Sequence, residues 1–219
     1  MVDIRTYIEH TNLNPAIKIE DIDQLVAEAV EFNLFGVCVP PFWVKRARRE
    51  IGKNNLILST VAGFPLGYQM TETKLQEITL AIDNGADEVD MVWNISSFKT
   101  GLPWTKIELA KCSKLVHDSG KIIKIIIETG YLSEAEVISA CKICSDAGAD
   151  FVKTSTGFMS SGAMVDTVLL MRKVLPATVG IKASGGIKTH QQVLDMIQAG
   201  ADRIGTSSAI EILKQINPS

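Results

Sequence analysis

No apolar stretch in this sequence runs beyond a handful of residues, well short of the ~20 that a membrane-spanning helix needs. The opening Met1-Val2-Asp3-Ile4-Arg5 lacks the apolar run of a secretion signal, so a cytoplasmic protein is expected. Basic charge is not in excess. The 22 Lys and Arg residues face 25 Asp and Glu, a net charge of −3, which gives no reason to expect nucleic acid or an anionic membrane as partner. Any phosphate recognition must then be local, made by backbone amides and a few side chains. Cysteines are few, at 38, 112, 141 and 144, and free thiols are expected of them. Cys141 and Cys144 form a C-x-x-C, but inside a helical pattern and without a second ligand pair, so a structural reading is preferred to redox or metal chemistry. No G-x-G-x-x-G opens the chain, which argues against a dinucleotide-binding open sheet. The three histidines form no triad: His10 falls at a strand end, and His117 and His190 fall on helix surfaces.

What is present is an ordinary globular balance, 46 % hydrophobic and 21 % charged over 219 residues, enough to bury a large core without disulfides or metals. Short β-branched runs at 7–11, 35–39, 56–62, 88–93, 122–128, 151–154, 179–183 and 203–206 read as strands. Helical periodicity fills the intervals at 19–32, 42–51, 71–84, 104–118, 134–147, 164–175 and 189–198, with 208–215 closing the chain. In the first of these, Ile22, Leu25, Val26, Ala29 and Val30 recur at helical spacing between acidic residues. Such alternation implies a parallel sheet, since each strand must return through a helical crossover. The joint Gly-Ala-Asp occurs at 85–87, 148–150 and 200–202, each time between a helix and a strand, two units apart. Glycine suits the left-handed position that ends a helix, and the small alanine lets the chain pack closely as it turns inward. These features predict a single-domain (β/α)8 TIM barrel over residues 1–219, with an open doubly wound sheet as the alternative.

In such a barrel the active site lies at the C-terminal ends of the strands. Two lysines sit late in apolar strands: Lys153 after Asp150-Phe151-Val152 and Lys182 after Val179-Gly180-Ile181. Lysine is rarely buried without a partner, and on neighbouring strands each ammonium disfavours the charge of the other. The pair therefore suits a nucleophilic amine, Lys153, kept neutral by a cationic neighbour, Lys182. The plainer reading is two snorkelling lysines, or ion pairs with Asp87 or Asp90. Alternation in Glu88-Val89-Asp90-Met91-Val92 turns Glu88 and Asp90 to one face, and Asp90, nearer the C-terminal end, is the better candidate for proton relay. Glycine-rich turns after the last three strands (Ser155-Thr156-Gly157, Ser184-Gly185-Gly186 and Gly205-Thr206-Ser207-Ser208) point to a phosphate site, although Ser207 or Ser208 could instead cap the closing helix.

The motifs Lys153-Thr-Ser-Thr-Gly-Phe158, Ala62-Gly-Phe-Pro-Leu-Gly67, Glu88-Val-Asp-Met-Val92, Ile126-Ile-Glu-Thr-Gly130 and Gly205-Thr-Ser-Ser208 resemble, in order and spacing, the deoxyribose-phosphate aldolase family. The likeness runs from Ile8 to about Ala209. It implies a class I aldolase that interconverts 2-deoxy-D-ribose 5-phosphate with D-glyceraldehyde 3-phosphate and acetaldehyde. Lys153 matches the Schiff-base lysine, Lys182 the second lysine that perturbs it, and Asp90 the acid–base carboxylate. Cys38 matches a cysteine on the acetaldehyde side, and with Thr11, Asn12 and Thr154 it is assigned to the substrate pocket. Gly157, Gly185, Gly186, Ser207 and Ser208 match the phosphate-binding positions. No metal or other cofactor is implied, because the iminium does the polarising. A homo-oligomer, dimer or tetramer, is expected, with small sugar phosphates and acetaldehyde as ligands and neither nucleic acid nor membrane as partner. The sequence departs from the family pattern at Glu9, where Asp is usual, at Asn14 in place of a frequent lysine, and at Pro40 in place of a frequent asparagine; it also lacks the tyrosine-ended tail of some relatives. Two rival readings are a transaldolase-like Schiff-base enzyme for longer keto-sugars and a catalytically idle barrel that binds a sugar phosphate.

Overall fold

Eight short runs of β-branched and apolar residues become the strands of the computed structural model, which describes residues 2–215: β1 (Ile8–Thr11), β2 (Gly36–Val39), β3 (Ile57–Ala62), β4 (Glu88–Val92), β5 (Ile122–Ile126), β6 (Phe151–Lys153), β7 (Gly180–Ser184) and β8 (Arg203–Thr206). All neighbours are parallel and the sheet closes in chain order, β8 pairing back onto β1, so the open-sheet alternative falls. Met1 and residues 216–219 lie outside the described residues, and with them the two ends of the expected 1–219 domain.

The crossovers are α1 (Ile19–Glu31), α2 (Val44–Ile51), α3 (Thr71–Asp83), α4 (Ile95–Lys99), α5 (Trp104–Asp118), α6 (Glu134–Asp146), α7 (Val165–Val174) and α8 (His190–Gln198), and α9 (Ala209–Lys214) follows β8. In α1 the residues Ile22, Leu25, Val26 and Ala29 are buried against the barrel, as their spacing requires. Capping boxes begin α6 and α8, where Ser133 and Thr189 accept from Glu136 and Gln192 amides and those side chains reach back. The unexpected element is α4, five residues long and so too short to show a helical period; its signal is the Asn94 side chain, which accepts from the Ser97 amide at 2.9 Å. Among the described residues no helix is long and apolar enough to cross a membrane.

The Gly-Ala-Asp joints do more than turn the chain. Gly85, Gly148 and Gly200 take φ of 102°, 83° and 105°, and Ala86, Ala149 and Ala201 are buried. Each following aspartate accepts a backbone N–H at the start of the preceding strand: Asp87 from Leu58 at 3.0 Å, Asp150 from Ile123 at 2.9 Å and Asp202 from Ile181 at 2.8 Å. A basic side chain from the helix before that strand pairs with each carboxylate, namely Arg48, His117 and Arg172. In each case the partner is the preceding strand, so the clip ties β4 to β3, β6 to β5 and β8 to β7. At the corresponding joint before β2, Asn33 holds the positive φ (52°) and Phe35 stands in place of the aspartate, its ring 3.1 Å beneath the Arg203 guanidinium.

Candidate active site

Strand parity sends a set of charged side chains into the barrel. Asp90 on β4 lies in register with Lys124 on β5, and Lys153 on β6 with Lys182 on β7. Asp90 accepts from Lys124 Nζ at 2.8 Å through Oδ1, and from Lys153 Nζ at 2.8 Å and Lys182 Nζ at 2.7 Å through Oδ2. The two late-strand lysines thus meet at a single oxygen atom. Glu9 on β1 contacts Lys182 directly and lies 3.5 Å from Lys124 Nζ and 3.7 Å from Arg203 Nε. Glu88 takes a second contact from Lys124, at 2.5 Å. Gly205 on β8 makes room for this arrangement: a Cβ there would stand 3.1 Å from Lys182 Cε. Of the two ion pairs that the plainer reading offered, the one with Asp90 is present for both lysines, while Asp87 is engaged at the other end of the barrel by Arg48 and Lys121.

Three lysines and three carboxylates, all buried, would be costly if any were left unpaired. Pairing decides their protonation. Burial opposes the charge of Asp90, but Lys124, Lys153 and Lys182 outweigh it and hold the carboxyl well below its usual range. Burial likewise opposes the Lys182 ammonium, and Asp90 and Glu9 overcome it, raising Lys182 above an ordinary lysine despite repulsion from Lys124. Glu9 is lowered because Lys124 and Lys182 outweigh its burial. Burial pushes the Cys38 thiol up to about 11, so it stays neutral near pH 7 and offers no competing thiolate. Glu9, Cys38 and Asp90 bring ligand-type atoms within 4.8 Å of one another, but Lys182 already bridges Glu9 Oε2 and Asp90 Oδ2 and would have to be displaced by a cation.

Above this layer opens a cavity of about 860 Å³ at the C-terminal ends of β1, β6, β7 and β8. Of the three lysines, Lys153 lines it. Thr11, Asn12, Gly157, Gly185, Gly186 and Ser207 also lie on its wall, so most of the residues singled out from sequence share one space. Cys38, Thr154 and Ser208 do not line it. Cys38 sits one layer down beside Glu9 and Asp90. The Thr154 hydroxyl donates to Ser184 O and accepts from Ser184 N, both at 3.1 Å, which ties β6 to β7 and leaves it little capacity for a ligand. Ser208 occupies the cap position of α9, without a side-chain cap bond, and its amide donates to Thr206 Oγ1. His10 pairs with Glu28 at 2.9 Å on the wall of the same cavity, and His117 pairs with Asp150 at 3.0 Å beside the start of β6.

Sequence reasoning passed over Lys124, which breaks the run Ile122-Ile-Lys-Ile-Ile126 as conspicuously as Lys153 breaks its own strand. Glu9 was given no role in the chemistry, and Lys188, on the cavity wall beside Gly186, carries no signal beyond its proximity to the glycines.

Comparison with known proteins gives this geometry a family. The model of the DeoC/LacD family aldolases matches residues 2–214. The deoxyribose-phosphate aldolase of Thermococcus gammatolerans is 48 % identical over 216 residues, covering 97 % of this chain and 96 % of that protein. Among solved structures, the aldolase QR15 superposes with a TM-score of 0.93 at 39 % identity, covering 99 % of this chain and 96 % of the other. The deoxyribose phosphate aldolase from Aeropyrum pernix, described as a tetramer, gives 0.91 at 32 %, covering 97 % and 90 %. With two lysines meeting on one buried carboxylate at the floor of the barrel mouth, and with likeness along nearly its whole length, the chain belongs to the DeoC/LacD family of aldolases.

Proposed function

We propose that this enzyme reversibly cleaves 2-deoxy-D-ribose 5-phosphate to D-glyceraldehyde 3-phosphate and acetaldehyde through a Schiff base on Lys153. The observation that carries the reading is the placement of Lys153: its amine is the one of the three that faces the cavity, and it shares Asp90 Oδ2 with a lysine held as a cation. An amine must be neutral to attack a carbonyl, and Lys153 is the lysine of this layer placed to meet one.

The neutral amine attacks the C1 aldehyde of the open-chain sugar, and loss of water gives a protonated imine. With its nitrogen bonded to the sugar, Lys153 leaves Asp90 Oδ2 to Lys182. A water between Asp90 and Lys182 then takes the proton of the C3 hydroxyl, the C2–C3 bond breaks, and its electron pair moves into the iminium. The triose phosphate departs as an aldehyde at the former C3. The remaining enamine is protonated at C2, and hydrolysis of the iminium releases acetaldehyde and restores Lys153. The glycine turns at Gly157, Gly185 and Gly186, with Ser207 and the Lys188 side chain, offer amide and cationic donors to the phosphate at the far end of the cavity. A carboxylate held ionised by three ammonium groups also argues against an idle barrel, since the desolvation of six charges serves no packing purpose.

Incubation with acetaldehyde and borohydride, followed by peptide mass spectrometry, is expected to place a two-carbon adduct on Lys153, and Lys153→Ala to lose both adduct and turnover while remaining folded. Absence of an adduct in the wild-type enzyme would remove the mechanism.

Self-association is the second element of the reading. Met70, Leu102, Trp104 and Ile107 are exposed around a separate cavity of about 390 Å³ between α3 and α5, an apolar face suited to a second copy of the chain.

A further inference from the structure

Glu128 takes no part in the chemistry above, yet the fold spends effort on it. It lies just past β5 with its backbone in the left-handed region, φ 51° and ψ 71°, and is buried to 1 % exposure. A side chain bearing a Cβ is rare there and persists only where its surroundings over-determine it. Here the determination comes from the β6 turn. Glu128 Oε2 accepts from the Thr156 amide at 3.0 Å and from Thr156 Oγ1 at 2.5 Å, and Thr156 Oγ1 in turn accepts from the Phe158 amide at 3.1 Å. Beside it, Thr129 N donates to Thr154 O at 2.9 Å. The opposite side of the turn is tied to β7, where Ser184 Oγ donates to Ser155 O at 2.6 Å.

Gly157 hangs between these anchors with φ 83°, and a Cβ on it would stand 3.8 Å from Gly185 Cα. The β6 and β7 glycine turns therefore form one continuous wall of the cavity above Lys153, and on the side toward β5 Glu128 Oε2 is what holds Thr156, the residue next to Gly157. The other oxygen, Oε1, has no hydrogen-bond partner among the described residues, so the contact with Thr156 is what the side chain supplies.

We propose that Glu128 is a positioning residue for the substrate's phosphate: it holds Ser155-Thr156-Gly157 against the Gly185 turn so that the amides of both converge on the anion. The inference rests on the aldolase reading given under Proposed function. Its test compares 2-deoxyribose 5-phosphate with unphosphorylated 2-deoxyribose, alongside the rate of acetaldehyde trapping on Lys153.

Glu128→Ala is expected to raise KM for the phosphorylated sugar about tenfold or more, with kcat within about threefold and with trapping and the kcat/KM for 2-deoxyribose unchanged. Glu128→Gln keeps an accepting oxygen for Thr156 and is expected to stay within about threefold of wild type. Glu128→Gly removes the anchor and the unfavourable φ together, so it folds at least as well and shows the same rise in KM, which guards against misfolding of the alanine variant. An unchanged KM in the alanine and glycine variants, equal losses on both sugars, slowed trapping, or a glutamine variant as impaired as alanine would each overturn the positioning role. A wild-type enzyme that neither traps acetaldehyde nor cleaves either sugar would overturn the aldolase reading itself, and the role with it.

Discussion

Lys153 and Lys182 have similar surroundings by sequence, each ending an apolar strand, and different ones in space. Lys182 is enclosed by Asp90 and Glu9, whereas Lys153 touches Asp90 and otherwise faces the cavity. One is committed to remaining a cation, and the other is free to leave its carboxylate for a carbonyl. The same residues set how stability responds to pH. Asp90 and Glu9 are lowered in the folded state, so their contribution is present above the unfolded carboxyl values near ~4 and is lost as pH falls below them. Lys182 and Lys124 are raised, so theirs is present below the unfolded lysine value near ~10.4 and is lost only as pH rises past it. The urea midpoint is expected to stay level from about pH 5 to 10 and to drop below about pH 4. A midpoint already falling on acidification from pH 7 to 6 would show that this charged layer does not set the acid limit.

At the scale of elements, the aspartate clips connect local signals to the barrel. A helix ends on a left-handed glycine, a buried alanine turns the chain, and the aspartate reaches back to the neighbouring strand, so a three-residue motif fixes both a strand start and its register. Asp87 has the densest set of partners: the Leu58 amide, Arg48 and Lys121. Asp87→Ala should cost about 1–3 kcal/mol in chemical denaturation, because it leaves a strand amide and two cations without their acceptor. The kinetic constants should not change, since Asp87 lies at the barrel end away from the cavity; a loss of activity without loss of stability would contradict the division of labour between the two ends. The elements themselves were legible because long helices and β-branched runs carry a strong periodic signal. The short α4 escaped because five residues complete little more than one turn.

At the scale of the whole molecule, the exposed Met70, Leu102, Trp104 and Ile107 distinguish one flank from the rest of the helical ring. Light scattering is expected to give a multiple of the chain mass, and Trp104→Glu to return it to a single chain mass with activity retained. A monomeric wild-type protein would refute the self-association of this face. The alternation of strands and helices, the Gly-Ala-Asp joints and the pairing of late-strand lysines were all decided by the sequence alone, because each depends on neighbours a few residues away or on the fixed parity of a strand. Tertiary structure decided what depends on closure. Joining β8 to β1 brings Glu9 against Lys182, residues 173 positions apart, and the tilt of the staves carries Lys124 under Asp90 and Glu88. It also assigned Thr154 to a strand tie and Glu128 to a loop anchor. A linear pattern records which face a side chain takes, but not which of several inward charges will meet once the sheet has curved shut.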